Sequence, residues 1–163
     1  DYASHVLNLI QEIIGRPVKA SGSQLKSIYS KGVEDAVYGT LILENGLSGL
    51  LSVNWSDETY RKMATSLTVQ GKNGKISCDA TEIKIFLKEA NKKEGLEKGW
   101  TIKYITDFAI PVQFYLRGEE YSAQIDHFID CIANKKQTSY NSFEQGLYTD
   151  KIIELIIADS KKQ

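Results

Sequence analysis

Histidine, cysteine, proline and methionine are scarce in this chain, at two, two, two and one among 163 residues. Cys78 and Cys131 stand far apart and never as CxxC. That excludes a disulfide framework or a zinc site of that type, and it fits a reducing cytoplasm. Neither sign of charge dominates: 20 basic and 21 acidic residues give a net charge of −1, without the footprint that nucleic acid or anionic lipid requires. The longest apolar runs, such as Leu41-Ile42-Leu43, are far too short to span a bilayer. No two of the 12 glycines stand two or five positions apart, which excludes both GxGxxG and the GxxxxGK phosphate loop. GxSxG and HExxH are missing too. The chain carries no recognisable dinucleotide-binding motif.

A hydrophobic content of 42% over this length predicts one domain, residues 1–163, with a sizeable core. Residues 1–14 read as an amphipathic helix, with Tyr2, Val6, Leu9, Ile10 and Ile13 at helical spacing. Gly15 and then Pro17 stop it. From 18 to 116 the period changes to two, and strands are expected at 18–29, 37–44, 47–56, 65–71, 74–79, 82–88, 100–106 and 108–116. Asn45-Gly46 predicts a type I′ hairpin, and Lys72-Asn73-Gly74 a second turn. Residues 88–99 read as an exposed charged loop, and Pro111 suits an edge strand or bulge. Helices over 119–134 and 143–161 follow, separated by a Ser/Asn-rich linker. The order helix, strands, two helices argues for an α+β fold, an open and mainly antiparallel sheet with helices packed on one face. The strand over Ala36–Leu43 is apolar on both sides, so its second face calls for a cover, either another subunit or a missing domain.

Chemistry concentrates at the start of the chain. With Val6 as the centre of the apolar face, Asp1, His5 and Asn8 project along one polar edge of the helix. A carboxylate one turn from an imidazole can orient it and stabilise its charged form. The plain structural alternative is that Asp1 caps the helix and His5 sits at a half-buried boundary. His127, Asp130 and Cys131 share a helix at metal-ligand spacing, although a solvated polar face explains them as well. In the run from Trp55 to Lys62, Arg61 suits a carboxylate or phosphate, and Tyr60 or Trp55 a stacked sugar. There the alternative is a core tryptophan followed by a solvated loop.

The opening DYASHVLNLIQEIIGRP resembles the segment that begins the C-terminal domain of the glucose–fructose oxidoreductase / inositol dehydrogenase / rhizopine-catabolism (Gfo/Idh/MocA) family. The resemblance continues through EDAVYGTLILENGLSGLLSVNWS, TVQGKNGKISCD, FYLRGEEYSAQIDHFIDCI and EQGLYTDKIIELIIADS, so it covers essentially the full chain. It implies a two-domain oxidoreductase using NAD or NADP on sugars, sugar nucleotides or cyclitols. An N-terminal Rossmann domain would hold the cofactor and supply a lysine. The C-terminal domain would supply Asp and His and the contact between subunits. Carried over, His5 is the acid/base that takes the substrate hydroxyl proton, and Asp1 orients it. The family's second Asp is Asn8 here. We therefore expect the chain to be the C-terminal part of a larger enzyme, with no cofactor of its own and no turnover without the Rossmann half. A non-catalytic binding or assembly module on the same fold is the competing expectation.

Overall fold

The computed structural model describes residues 2–59, 64–108, 114, 119–137 and 141–162. Its helices are α1 (Tyr2–Ile13), α2 (Ile105–Phe108), α3 (Glu119–Ala133) and α4 (Phe143–Ser160). Its strands are β1 (Pro17–Lys26), β2 (Ala36–Leu43), β3 (Ser48–Asn54), β4 (Leu67–Gln70), β5 (Gly74–Cys78), β6 (Glu82–Leu87) and β7 (Gly99–Tyr104). The α+β expectation holds, with one difference. The strands form two antiparallel sheets, β1-β2-β3 and β4-β5-β6-β7, where a single sheet was expected. Every pairing joins consecutive strands, so each sheet is a local meander. The chain divides into two compact units, Asp1–Thr59 with Lys136–Gln163, and Tyr60–Lys135.

In the first unit, α1 and α4 cover one face of β1-β2-β3. Leu7, Ala20, Leu41, Leu43, Leu51, Val53, Ile152 and Ile156 form the core there. Helix α1 ends as expected: Gly15 takes φ 136°, and its N–H returns to the carbonyl of Ile10 at 3.0 Å. Its buried stripe is turned from the expected one. Ala3, Val6, Leu7, Ile10 and Ile14 face the core, while Leu9 and Ile13 are exposed. The two patterns are about half a turn apart at their extremes, and packing against α4 decides between them.

The Asn45-Gly46 hairpin exists, but not as type I′. Only Gly46 of the pair has positive φ, at 81°. Its N–H bonds to the Leu43 carbonyl at 3.0 Å, while Leu43 N–H bonds to Leu47 at 2.8 Å. This is a type I turn closed by a left-handed glycine, which needs one such residue and not two. In β1 a bulge between Ser21 and Gln24 coincides with Gly22 at φ 65°. The bulge turns the Ser23 N–H onto the Asp159 carboxylate of α4 at 2.9 Å.

The second unit holds β4-β5-β6-β7, α2 and α3. Residues 105–106, expected to extend β7, instead turn into the single helical turn α2. The Asp107 carboxylate accepts the Tyr104 N–H at 2.7 Å, which ends the strand. The strand expected at 108–116 begins on Phe108, which is helical, and Phe114 lies in a bend. The rest of that stretch, with Pro111, is outside the described residues. The loop at 88–99 contains a 3₁₀ turn at Lys92–Glu94 and a bridge between Asn91 and Leu96. Among the described residues, no helix is long and apolar enough to cross a membrane.

Candidate functional site

Of the residues expected to form a catalytic edge, His5 and Asn8 lie on helix α1. Asp1 lies outside the described residues, so the geometry concerns His5 and Asn8. His5 is exposed and Asn8 half-buried. At about 100° per residue, His5 stands roughly 160° round the helix from the centre of the buried stripe. It faces straight outward and not along a boundary.

Two polar links between helices set that rotation. Gln11 Nε2 donates to Thr149 Oγ1 at 2.8 Å, and Gln145 Nε2 donates to Glu12 Oε2 at 2.8 Å. Gln145 itself is fixed by its N–H on the Ser142 cap (3.2 Å) and by its Oε1, which accepts the Asn141 N–H (2.7 Å). Apolar stripes tolerate rotation, whereas paired polar groups specify one arrangement.

Trp55 does not join His5. It is 71% exposed, contrary to the alternative of a core tryptophan, and it borders a cavity of about 300 Å³ within the first unit. Ala3 and Leu7 contribute the α1 wall of that cavity, on the side of the helix opposite His5. Tyr60 and Arg61 lie outside the described residues.

The loop between β1 and β2 supplies a residue that sequence reasoning missed. Asp35 is 3% exposed, and its carboxylate accepts three backbone N–H bonds, from Ile28 (2.9 Å), Tyr29 (2.7 Å) and Ser30 (2.7 Å). The Ile28 bond above all, then those from Ser30 and Tyr29 and the Ser56 hydroxyl, hold it far below the usual carboxylate range against an opposing effect of burial. The Asp35 carbonyl also accepts the Trp55 N–H at 2.8 Å. One acidic residue thus builds the loop and seats the tryptophan. The available signal was a lone acidic pair, Glu34-Asp35, just before a strand.

The α3 cluster is only partly assembled. Cys131 Sγ lies 3.6 Å from His127 Nε2, while Asp130 accepts from Asn134 at 2.6 Å. Among the described residues, no group of three or more His, Cys, Asp or Glu is placed to hold a metal.

The chain belongs to the Gfo/Idh/MocA family: the model for "Oxidoreductase family, C-terminal alpha/beta domain" matches residues 1–163. A levoglucosan dehydrogenase solved with NADH and levoglucosan is similar over 99% of this chain and 47% of its own, at TM-score 0.80 and 19% identity. An oxidoreductase from Agrobacterium radiobacter solved with NAD+, L-tartaric acid and magnesium matches at TM-score 0.74 and 18% identity, over 99% of this chain and 46% of its own. The WlbA dehydrogenase from Bordetella pertussis, with NADH and UDP-GlcNAcA, matches at TM-score 0.66 and 15% identity, over 99% and 42%. The chain thus spans a little under half the length of these structures. Among proteins of curated function, none matches.

The described residues form no Rossmann-type pyrophosphate cradle. A pyrophosphate cradle needs a strand running through a glycine-rich turn into a helix. Here β7 passes directly from Tyr104 into Ile105 of α2, and both sheets are antiparallel.

Proposed function

We propose that this chain is the substrate-facing C-terminal domain of a dehydrogenase that uses NAD or NADP on a hydroxyl of a sugar, sugar nucleotide or cyclitol. The family match over residues 1–163 carries this reading. It is supported by neighbours that include a levoglucosan dehydrogenase and an aldose–aldose oxidoreductase from Caulobacter crescentus. A nicotinamide supplied by an N-terminal Rossmann domain would accept the hydride. On this side of the site, His5 takes the hydroxyl proton, Asp1 orients the imidazole, and Asn8 offers a neutral hydrogen bond along the same edge. Tyr60 and Arg61 are proposed as further substrate contacts. Trp55, seated on the other side of α1, contributes less to that site.

Binding of NADH and NADPH tests this reading, measured by fluorescence on the chain and on the longer gene product that contains it. Binding by the longer product alone is the expected result. Binding by neither would favour the assembly module.

The outward face of β1-β2-β3 supports a homo-oligomer. Leu50, 89% exposed, is paired with Thr40, and Tyr38 and Ile42 share that face. Sedimentation should show association that Leu50→Lys abolishes, and a monomer throughout would refute it. Cys78 and Cys131 are both free thiols, which supports a cytoplasmic setting.

A further inference from the structure

We propose that the cavity of the first unit binds a small aliphatic amine in its ammonium form, at a site separate from the polar edge of α1. At about 300 Å³ the cavity lies at the small end of ligand pockets. Leu7, Leu25, Val37, Val53 and Ile156, drawn from α1, all three strands and α4, make its walls aliphatic. Such walls accept a hydrocarbon tail and penalise a sugar, whose hydroxyls would lose their water without finding partners.

The head group follows from the charges. Among the described lining residues, Glu34 and Asp35 are the ionisable ones and both are acidic. The two carboxylates differ in what they have left to offer. That of Asp35 is occupied by three N–H donors. Glu34 is exposed and makes no hydrogen bond or ion pair among the described residues, so its carboxylate is available to a ligand. Trp55 also lines the cavity, its N–H bonded to the Asp35 carbonyl at 2.8 Å, and an indole face attracts a cation. An ammonium group satisfies carboxylate and indole together. A carboxylate ligand would meet like charge, and an alcohol would gain only the burial of its tail.

Trp100→Phe leaves Trp55 as the sole tryptophan, so its emission can follow titrations with n-hexylammonium, n-hexanol and n-hexanoate at constant ionic strength. The amine should bind about tenfold tighter than the alcohol, given an exposed ion pair and a cation–π contact, and the hexanoate more weakly than either. Glu34→Gln, an exposed substitution, should shrink that preference to about threefold, leaving the cation–π contact. Equal binding of amine and alcohol, tightest binding of hexanoate, or a full preference surviving Glu34→Gln would each overturn the proposal. So would the lack of saturable binding by any of the three. If Trp100→Phe fails to fold, calorimetry on the unsubstituted chain makes the same comparison.

Discussion

Gln11 on α1 and Thr149 on α4 meet at 2.8 Å across 138 positions of sequence. Thr149 Oγ1 accepts from Gln11 Nε2 and in turn donates to the Gln145 carbonyl at 3.1 Å. Thr149 is buried beside Ile152, so this polar contact sits on the margin of the apolar packing in the first unit. Thr149→Val keeps the shape and removes the acceptor. The variant should lose about 1 kcal/mol, read as a melting temperature lower by about 2–4 °C. Thr149→Ser should restore most of it, and an unchanged melting temperature in Thr149→Val would show that the link contributes nothing.

Acid should weaken the first unit through Asp35 and Asp159. Both titrate below the ordinary value of 3.8: Asp35 through the bond from Ile28 first, Asp159 through the Ser23 N–H first. A carboxylate depressed on folding stabilises the protein above its unfolded value, and that contribution fades as pH falls toward the folded one. Denaturation midpoints should therefore be steady from about pH 7 to 5 and drop below roughly pH 4. Asp35→Asn should lower the midpoint at neutral pH and flatten the acid limb, because an amide cannot accept from three N–H donors at once. An acid limb as steep as that of the parent would refute the assignment.

Gly74 has no room for a side chain. A Cβ there would lie 1.9 Å from the carbonyl oxygen of Phe86, a backbone atom held in the β5–β6 ladder. Gly74→Ala should cost about 2–4 kcal/mol. The loss should appear as faster amide exchange across β5 and β6 while the amides of β1–β3 keep their protection. Uniform or unchanged exchange would contradict it.

If His5 moves the substrate proton, His5→Ala in the proposed two-domain enzyme should lower kcat by about 10²–10⁴-fold and leave NADH binding nearly intact. Its exposure predicts a melting temperature within about 1–2 °C of the parent. Full turnover in that variant would remove His5 from the mechanism.

The elements were legible in sequence because their signals are local. Gly15 before Pro17 ends α1, and Asn45-Gly46 makes a hairpin, whatever surrounds them. The finer geometry was not, because it depends on partners distant in sequence. The rotation of α1 is decided by Thr149 and Gln145, far beyond any window that reads Val6 as the centre of its apolar face. Trp55 continues the alternation of Leu51 and Val53, and its N–H carries the β2–β3 pairing on to the Asp35 carbonyl, yet it stands past the end of β3 at the cavity and is exposed. Asp35 itself looks like any loop acid until three backbone donors are seen to converge on it. The polar His5–Asn8 edge of α1 was readable from spacing, whereas the separate cavity on the other side of the helix was not.

The division of the chain has a consequence for biosynthesis. The first unit is discontinuous: residues 1–59 must wait for 136–163, while the intervening β4–β7 meander needs only neighbours in sequence. On the ribosome the insert can pair its strands while the apolar face of β1-β2-β3 still lacks α4. Leu41, Leu43 and Val53 then stay open until Ile152 and Ile156 emerge. That apolar face is exposed to chaperones and misassembly for the time it takes to translate the insert and α4.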